Sequence, residues 1–365
     1  MSPLRILHCE AATGFGGQEN RVIKEMRAMR AHGHSLEALC QPNAQLARRL
    51  RDEGFVVHTM PMGGPFNFVR GVARACGILR RGRFQVVNTH SRRDTLLVGL
   101  AARLVGIPLI VRTRHLAIRP GSLLSYTVVP HRVTTVSDFV RRLLIERGVP
   151  PDKVATVYTS VPFPPLVEHS TLRAELGLPA NAVVVGCVAV LREKKGHRVL
   201  IDAMRDVLLR RPDVFLVLVG DGAPLMEKLR EHVRASGLQG KVRFAGRRAD
   251  IPNVLAGFDI FALATREEAL GTSYIEAAAA GLPVVGTDVG GVSETMQDGV
   301  TGLLVPPDDE ARLSDAIQML VDHPALRCAM GLAGMRAVRG EGRFSEEHMV
   351  RETERCYGRW LQGWS

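Results

Sequence analysis

The sequence is poor in aromatic residues, which fill 5% of its 365 positions, and it has no long apolar run. Its apolar stretches, of which Val183 to Leu191 is typical, are too short to cross a bilayer and end at glycine or charge, so they read as buried strands. A leader pattern is missing too. Met1 to Glu10 enters a strand-like pattern without a basic start, a long apolar middle and a small-residue cleavage site, and export is not expected. The six cysteines (Cys9, Cys40, Cys76, Cys187, Cys328 and Cys356) have no paired spacing, which argues against a disulfide framework or zinc and for reduced thiols in a cytoplasmic setting. With no Asp-x-Asp pair and no His/Cys cluster at ligand spacing, no metal and no cofactor are expected.

What is present is ordinary globular composition, 46% hydrophobic and 23% charged, in a chain long enough for two domains. The net charge is +11, mostly from arginine, with Arg70, Arg74, Arg80, Arg81, Arg83, Arg92, Arg93, Arg112, Arg114 and Arg119 crowded in the first half. Such a field suits peripheral contact with the inner face of an anionic membrane or an acidic acceptor, and equally a solvated basic surface. Nucleic acid is not expected, because aromatics do not interleave with these arginines.

Strand-like runs and amphipathic stretches alternate along the chain: Leu4 to Glu10, a helix from about Gln18, then Ser35 to Gln41, Val56 to Met62, Phe84 to His90, Leu109 to His115, Val133 to Ser137 and Val154 to Tyr158. Val161-Pro-Phe-Pro-Pro165 then interrupts, since prolines this dense continue neither a helix nor a central strand. A second series follows: Val183 to Leu191, a helix from about Gly196, Val214 to Gly220, a helix from about Pro224, Val242 to Gly246, Ile260 to Thr265, a helix around Glu276, and Pro283 to Thr287. The pattern predicts an α/β chain of two Rossmann-like domains, 1–162 and 166–343, facing across a cleft. A final segment, 344–365, is expected to pack its helix, Glu346 to Trp360, back on the first domain.

Three segments invite a ligand. Thr13-Gly-Phe-Gly-Gly-Gln-Glu19 follows the first strand and opens a helix, where glycines let a ligand approach backbone. A tight turn explains it as well, and an NAD site is disfavoured, since Glu19 stands where the fingerprint wants glycine and no acid closes the second strand at Cys40-Gln41. Leu191-Arg-Glu-Lys-Lys-Gly-His197 puts cations at a helix start, a pocket for a diphosphate or simply a solvated turn. In Glu267-Glu-Ala-Leu-Gly-Thr-Ser-Tyr-Ile-Glu276, Gly271 and Thr272 offer N-terminal amides to a phosphate, and Glu276 can accept from ribose hydroxyls. Capping or ion pairing is the competing role for either carboxylate.

Glu268 and Glu276, separated by seven residues, are followed by Ala277-Ala-Ala-Ala-Gly-Leu-Pro-Val-Val285, Gly290-Gly-Val-Ser-Glu294 and Asp298-Gly-Val-Thr-Gly-Leu-Leu-Val305. This run resembles the donor-binding half of the retaining glycosyltransferases of family 4, the group 1 enzymes with the GT-B fold. The resemblance extends over nearly the whole chain, through Gly16-Gly-Gln-Glu19, Asn88-Thr-His-Ser91, Val136-Ser-Asp138 and Lys195-Gly-His197. It implies that Glu276 binds the donor ribose, Glu268 the donor sugar, and Arg192 and Lys195 the diphosphate, with Gly16 and Gly17 closing on it. It sets His90 beside the transferred sugar and assigns Glu19 and His115 to the acceptor side. Two departures concern the subgroup: Ala189-Val190 stands where many relatives have Gly-Arg, and Thr159-Ser160 where they often have Asn-Gly.

The implied reaction moves a sugar from a nucleotide-diphosphate sugar to a hydroxyl of a glycan or glycolipid acceptor, of which a lipopolysaccharide type best suits the basic first half. Retention of anomeric configuration follows from the resemblance, with the leaving diphosphate helping to deprotonate the acceptor. Cations and helix amides can stabilise that diphosphate electrostatically. The rival readings are a nucleotide-sugar epimerase of the same architecture and a sugar-nucleotide-binding protein without catalysis.

Overall fold

The computed structural model describes residues 2–363 and forms two compact units, Met1–Ser160 with Arg343–Ser365, and Val161–Gly342. In the first unit the elements run β1 (Arg5–Glu10), α1 (Gly17–Ala31), β2 (Ser35–Cys40), α2 (Gln45–Asp52), β3 (Val56–Thr59), α3 (Pro65–Gly82), β4 (Val86–Thr89) and α4 (Arg92–Val105). They continue as β5 (Leu109–Arg114), α5 (Leu124–Thr127), β6 (Arg132–Thr135), α6 (Asp138–Glu146) and β7 (Val154–Thr156). The strands pair in the order β3, β2, β1, β4, β5, β6, β7, and every pairing is parallel. Parallel strands are covered on both faces, and β5 is buried at all six positions although its second half is Arg112, Thr113 and Arg114.

The second unit repeats the plan with α7 (Leu172–Glu175), β8 (Val183–Val188), α8 (His197–Arg210), β9 (Val214–Val219), α9 (Leu225–Ala235), β10 (Val242–Gly246), α10 (Ile251–Ala256) and β11 (Ile260–Leu263). Then come α11 (Thr272–Ala279), β12 (Val284–Thr287), β13 (Gly302–Val305), α12 (Glu310–Asp322) and α13 (Pro324–Glu341). Its strands lie in the order β10, β9, β8, β11, β12, β13, again all parallel.

The last helix, α14 (Glu346–Gln362), belongs to the first unit. Its Met349, Val350, Cys356, Tyr357 and Trp360 join the core formed by α1, α2 and one face of the sheet. Polar contacts fix its position: the Asn88 amide donates to the Tyr357 hydroxyl at 3.0 Å, and His34 meets Glu354 at 2.8 Å. Of the six cysteines only Cys328 is exposed, and all six are free thiols.

Several strands end earlier than their apolar runs suggest. β4 stops at Thr89 rather than His90, β8 at Val188 rather than Leu191, and β11 at Leu263 rather than Thr265. In each case the run continues past the carboxyl end of the strand, where the chain leaves its ladder to form a loop that is itself packed: His90, Leu191 and Thr265 are all buried.

Both sheets reverse direction at one point, between β1 and β4 and between β8 and β11, because each chain winds outward from its first strand on one side and then starts again beside it. The loops leaving those strands must part to opposite faces, which opens a crevice at the carboxyl edge where open α/β sheets bind ligands. The segments after β1 and β4 carry the glycine loop and His90; those after β8 and β11 carry Lys195 and Glu268.

Trp360, 3% exposed, anchors α14. Trp360→Ala should lower the stability of the first unit by about 3–5 kcal/mol, read as a fall in its urea midpoint at constant slope. An unchanged midpoint would show that α14 adds nothing to that core.

Candidate active site

In the second unit the turn after β8 is clamped to the end of β11. Gly196 adopts a left-handed φ of 66°, and a Cβ built there would lie 1.7 Å from the Ala264 carbonyl oxygen, so no side chain fits. The Arg266 amide donates to the Lys194 carbonyl at 2.8 Å, and the Thr265 hydroxyl donates to the same oxygen at 3.1 Å. This brings Lys195 Nζ into an ion pair with Glu268 Oε2, and both side chains are mostly buried. Beside it Lys194 pairs with Glu267 at 2.8 Å.

The loop holding Glu268 is gripped from its other side. A Cβ on Gly290 would fall 1.9 Å from the Glu268 carbonyl oxygen, to which the Gly291 amide donates at 3.1 Å. Gly271 caps α11 with a φ of 94°, and a Cβ there would lie 3.3 Å from Glu268 Cγ, so the carboxylate side chain and the start of α11 are neighbours. Thr272 opens α11, and Glu276 lies one turn along on the same face. The buried Tyr274 hydroxyl donates to the Leu263 carbonyl at 2.6 Å and fixes the helix against the sheet. Lys195, Glu268, Gly271, Thr272 and Glu276 therefore share one corner of the sheet edge. Arg192 stands three residues before Lys195 and is exposed; its carbonyl accepts from the Lys195 amide at 2.8 Å, and its guanidinium has no hydrogen bond or ion pair among the described residues. A cation, a partly sheltered carboxylate and helix-start amides around one point make a receptor for a phosphate carrying hydroxyls.

In the first unit Gly16 and Gly17 open α1. Neither has a positive φ, and a Cβ on Gly17 would meet nothing within 4 Å, so the fold of this unit does not demand glycine there. Glu19 is buried and its Oε2 accepts from the Gly16 amide at 2.7 Å, closing the first turn of α1. This carboxylate caps α1, a contact not foreseen for a residue that the resemblance assigns to the acceptor side.

His90 is 3% exposed, and both its ring nitrogens are engaged. Nε2 meets His8 Nδ1 at 3.0 Å, and Nδ1 meets His115 Nε2 at 3.0 Å. Burial holds all three imidazoles below the usual histidine range, with the neighbouring histidines and Arg21 adding to the effect on His90 and His115.

Sequence reasoning assigned no role to four residues. Glu10 and Asp94, both fully buried, support the glycine loop: Glu10 accepts from the Ala12 amide at 2.8 Å and from Gln18, and Asp94 accepts from the amides of Ala11 and Ser91 at 3.1 and 3.0 Å. Burial raises Asp94 well above the carboxylate range, with the Glu10 charge adding to it, and raises Glu10 to about 7, with the Glu19 charge acting in the same sense. His8 lies inside a strand that reads as apolar. His197, directly after Gly196, is 2% exposed with both ring nitrogens unpartnered, and burial pushes it down to about 4. The available signal was spacing: His8 and Glu10 alternate on β1, and Asp94 follows Ser91 at capping distance.

These features define a class, two Rossmann-like units of the GT-B fold, each with its polar residues at its switch point. Family models agree: Glycosyltransferase Family 4 matches residues 15–163 and Glycosyl transferases group 1 matches residues 182–323. The chain belongs to the family 4, group 1 glycosyltransferases. It is 38% identical over 185 residues to a GDP-mannose-dependent monoacylated alpha-(1-6)-phosphatidylinositol monomannoside mannosyltransferase of Corynebacterium glutamicum, covering 48% of this chain and 47% of that protein. A lipopolysaccharide core biosynthesis glycosyltransferase of Rhizobium meliloti, LpsE, is 36% identical over 175 residues, 48% of this chain and 49% of that one. The chain thus spans about half the length of these relatives. Another Rhizobium meliloti core glycosyltransferase, LpsD, is 28% identical over 94% of this chain and 95% of its own. Among solved structures, a glycosyltransferase from Rickettsia africae superposes with a TM-score of 0.90 at 24% identity, covering 99% of both chains. Anabaena Alr3699/HepE in complex with UDP gives 0.87 at 21% identity over 97% of this chain and all of that one.

The raised Glu10 makes the first unit sensitive to pH. Its carboxyl ionises near 4.5 when unfolded and near 7 when folded, so the folded state holds the proton longer. Stability should be highest below pH 4.5, so far as this group is concerned, and fall as pH rises through 7, with Asp94 acting in the same sense. In Glu10→Gln the melting temperature should vary less between pH 5 and 7. A wild-type slope in that variant would assign the effect elsewhere.

Proposed function

We propose that this protein transfers a sugar from a nucleotide-diphosphate sugar to a hydroxyl of a cell-envelope glycan or glycolipid, of lipopolysaccharide type, with retention of anomeric configuration and without a metal ion. The observation that carries the reading is the Lys195–Glu268 pair held beside the start of α11 at the switch point of the second unit. In this pair Glu268 supplies the negative charge that a donor diphosphate would bring. On donor binding, Lys195 turns to the phosphate and the freed carboxylate accepts from hydroxyls of the sugar. Arg192, whose guanidinium is exposed and unpaired among the described residues, adds a second cation, and Glu276 takes the ribose. Leaving-group charge is then stabilised by groups already in place, which lowers the barrier without reorganisation. Gly17, where a side chain would meet open space, leaves room for a ligand to touch backbone. Support for the donor class comes from HepE, solved with UDP and with UDP-glucose, and for the acceptor class from the lipopolysaccharide core relatives.

Lys195→Ala should lower the transfer rate by about 10²–10³, the usual effect of removing one such charge-stabilising group. Glu268→Gln, which keeps the shape, should also lower it. Initial rates with labelled UDP- or GDP-sugars and core oligosaccharide measure both; wild-type rates in Lys195→Ala would exclude this site. The product anomer read by NMR tests retention, and full activity in excess EDTA tests the metal-free reading.

The acceptor class also fits the surface of the first unit, which suits the inner face of an anionic membrane. α3 has no acidic residue, and the one acid of α4, Asp94, is buried. Their outer faces carry Phe68, Val69, Leu100 and Leu104 among Arg70, Arg74, Arg93 and Arg103. Each basic residue near an anionic bilayer contributes about 1 kcal/mol. The double variant Arg70→Ala, Arg74→Ala should therefore lose roughly thirtyfold in affinity for phosphatidylglycerol vesicles. Co-sedimentation independent of both lipid charge and salt would remove the membrane from this reading.

A further inference from the structure

His8, His90 and His115 stand on three adjacent strands or just past their ends: His8 in β1, His90 after β4 and His115 after β5. Because His8 is paired in register with Asn88, two residues before His90, the three rings step outward from the sheet interior to its carboxyl edge. The His8 and His90 planes differ by 8° and their centres are 5.2 Å apart, so the rings meet edge to edge through the 3.0 Å nitrogen contact. His115 is tilted by 43° to His90 and only partly buried.

A neutral imidazole has one N–H and one bare nitrogen. His90 is bonded through both, so it must donate on one side and accept on the other. If His90 donates to His115 it accepts from His8, and all three rings carry their proton on Nδ1. If the order is reversed, all three carry it on Nε2. No mixed arrangement satisfies both contacts. The inner terminus decides between the two. His8 Nε2 is sealed from water and unpartnered, and a sealed bare acceptor is tolerated better than a sealed N–H. At the outer terminus, His115 Nδ1 has no hydrogen bond among the described residues.

We propose that the three histidines form one tautomer-locked row with every proton on Nδ1, so that the first unit presents the His115 Nδ1–H, and neither nitrogen of His90, to an oxygen of the bound substrate. His115 then acts as a hydrogen-bond donor, while His8 and His90 are positioning residues acting through it. The role in catalysis rests on the glycosyl-transfer reading; the lock itself does not.

The test is nitrogen NMR on the whole protein labelled with [15N]histidine. The expected result is three neutral rings of the Nδ1–H form, with couplings across His8 Nδ1 to His90 Nε2 and His90 Nδ1 to His115 Nε2. Unlike tautomers, protons on Nε2, or no coupling would overturn the row. His8→Leu should leave His115 as a mixture of tautomers and cut kcat by about tenfold, the worth of one hydrogen bond, with the donor KM unchanged. His8→Asn, which keeps a polar group at the Nδ1 position, should recover most of that loss. An unchanged His115 tautomer in a folded His8→Leu protein would refute the coupling. Should that variant not fold, titration of the wild type decides. A His115 Nδ1 shift with UDP or GDP assigns the contact to a donor oxygen, and a shift only with core oligosaccharide assigns it to the acceptor. No shift with either, although the nucleotide raises the melting temperature, would overturn the outward contact. Absence of sugar transfer with the couplings present would fail the glycosyl-transfer reading and leave the lock standing.

Discussion

The approach of Gly196 to the Ala264 carbonyl governs the candidate donor site. Where a Cβ would stand 1.7 Å from that oxygen, the turn after β8 can sit directly on the end of β11, and no other residue type permits it. These two strands flank the switch point of the second sheet, so one backbone contact decides where the turn's lysines and the carboxylate loop meet. With the turn lifted by a side chain, Lys195 would lose its register with Glu268. Long, flexible side chains hold poor positions alone; here the backbone beneath them does the positioning, and the short span from Cα to charge is all that remains to be fixed.

The same topological place is built with opposite electrostatics in the first unit. There the polar groups at the sheet edge are buried and neutral, or nearly so: Asp94 and Glu10 are pushed toward their protonated forms and the three histidines toward their unprotonated ones. Burying an unpaired charge is far more costly than burying a neutral group with hydrogen bonds, so these residues serve by direction of N–H and carbonyl rather than by charge. The second unit keeps its charges where they are partly exposed and paired. A cation that must receive an anion is useful only if its present partner can be exchanged, and an ion pair at the rim of a sheet edge meets that requirement.

The order of strands, the proline-rich break at Val161 to Pro165 and the carboxylates of the second unit were legible because each leaves a local mark: periodicity, density of proline, spacing along one helix face. Strand ends were less legible, since His90, Leu191 and Thr265 are as buried as the strands they follow and hydrophobicity does not register a change of direction. His8 was hidden because a single polar residue in an apolar run carries no sign of its neighbours, and its partner, His90, is 82 residues away in sequence. Glu19 was legible as a residue near the loop, but its bond to the Gly16 amide was not, because that bond depends on the backbone conformation.

Arginine shows the same limit from the side of composition. Arg112 and Arg114 belong to the basic run of the first half, yet both are buried, and they are structural. The Arg112 guanidinium lies 4.2 Å from the centre of the Tyr126 ring and donates to Thr95 at 3.1 Å; Arg114 donates to the Tyr126 hydroxyl at 2.8 Å and to the carbonyls of Leu116 and Ile118. Their five-donor forks tie the loop after β5 to the sheet. That loop begins with His115, so Arg114, next to it in sequence, holds the segment from which the outer histidine projects. Net charge counted along the chain merges these residues with Arg70 and Arg74, which point to solvent. Only once the buried arginines are set apart does the remaining charge become a surface, on two helices whose outward faces have no acidic side chain to oppose it.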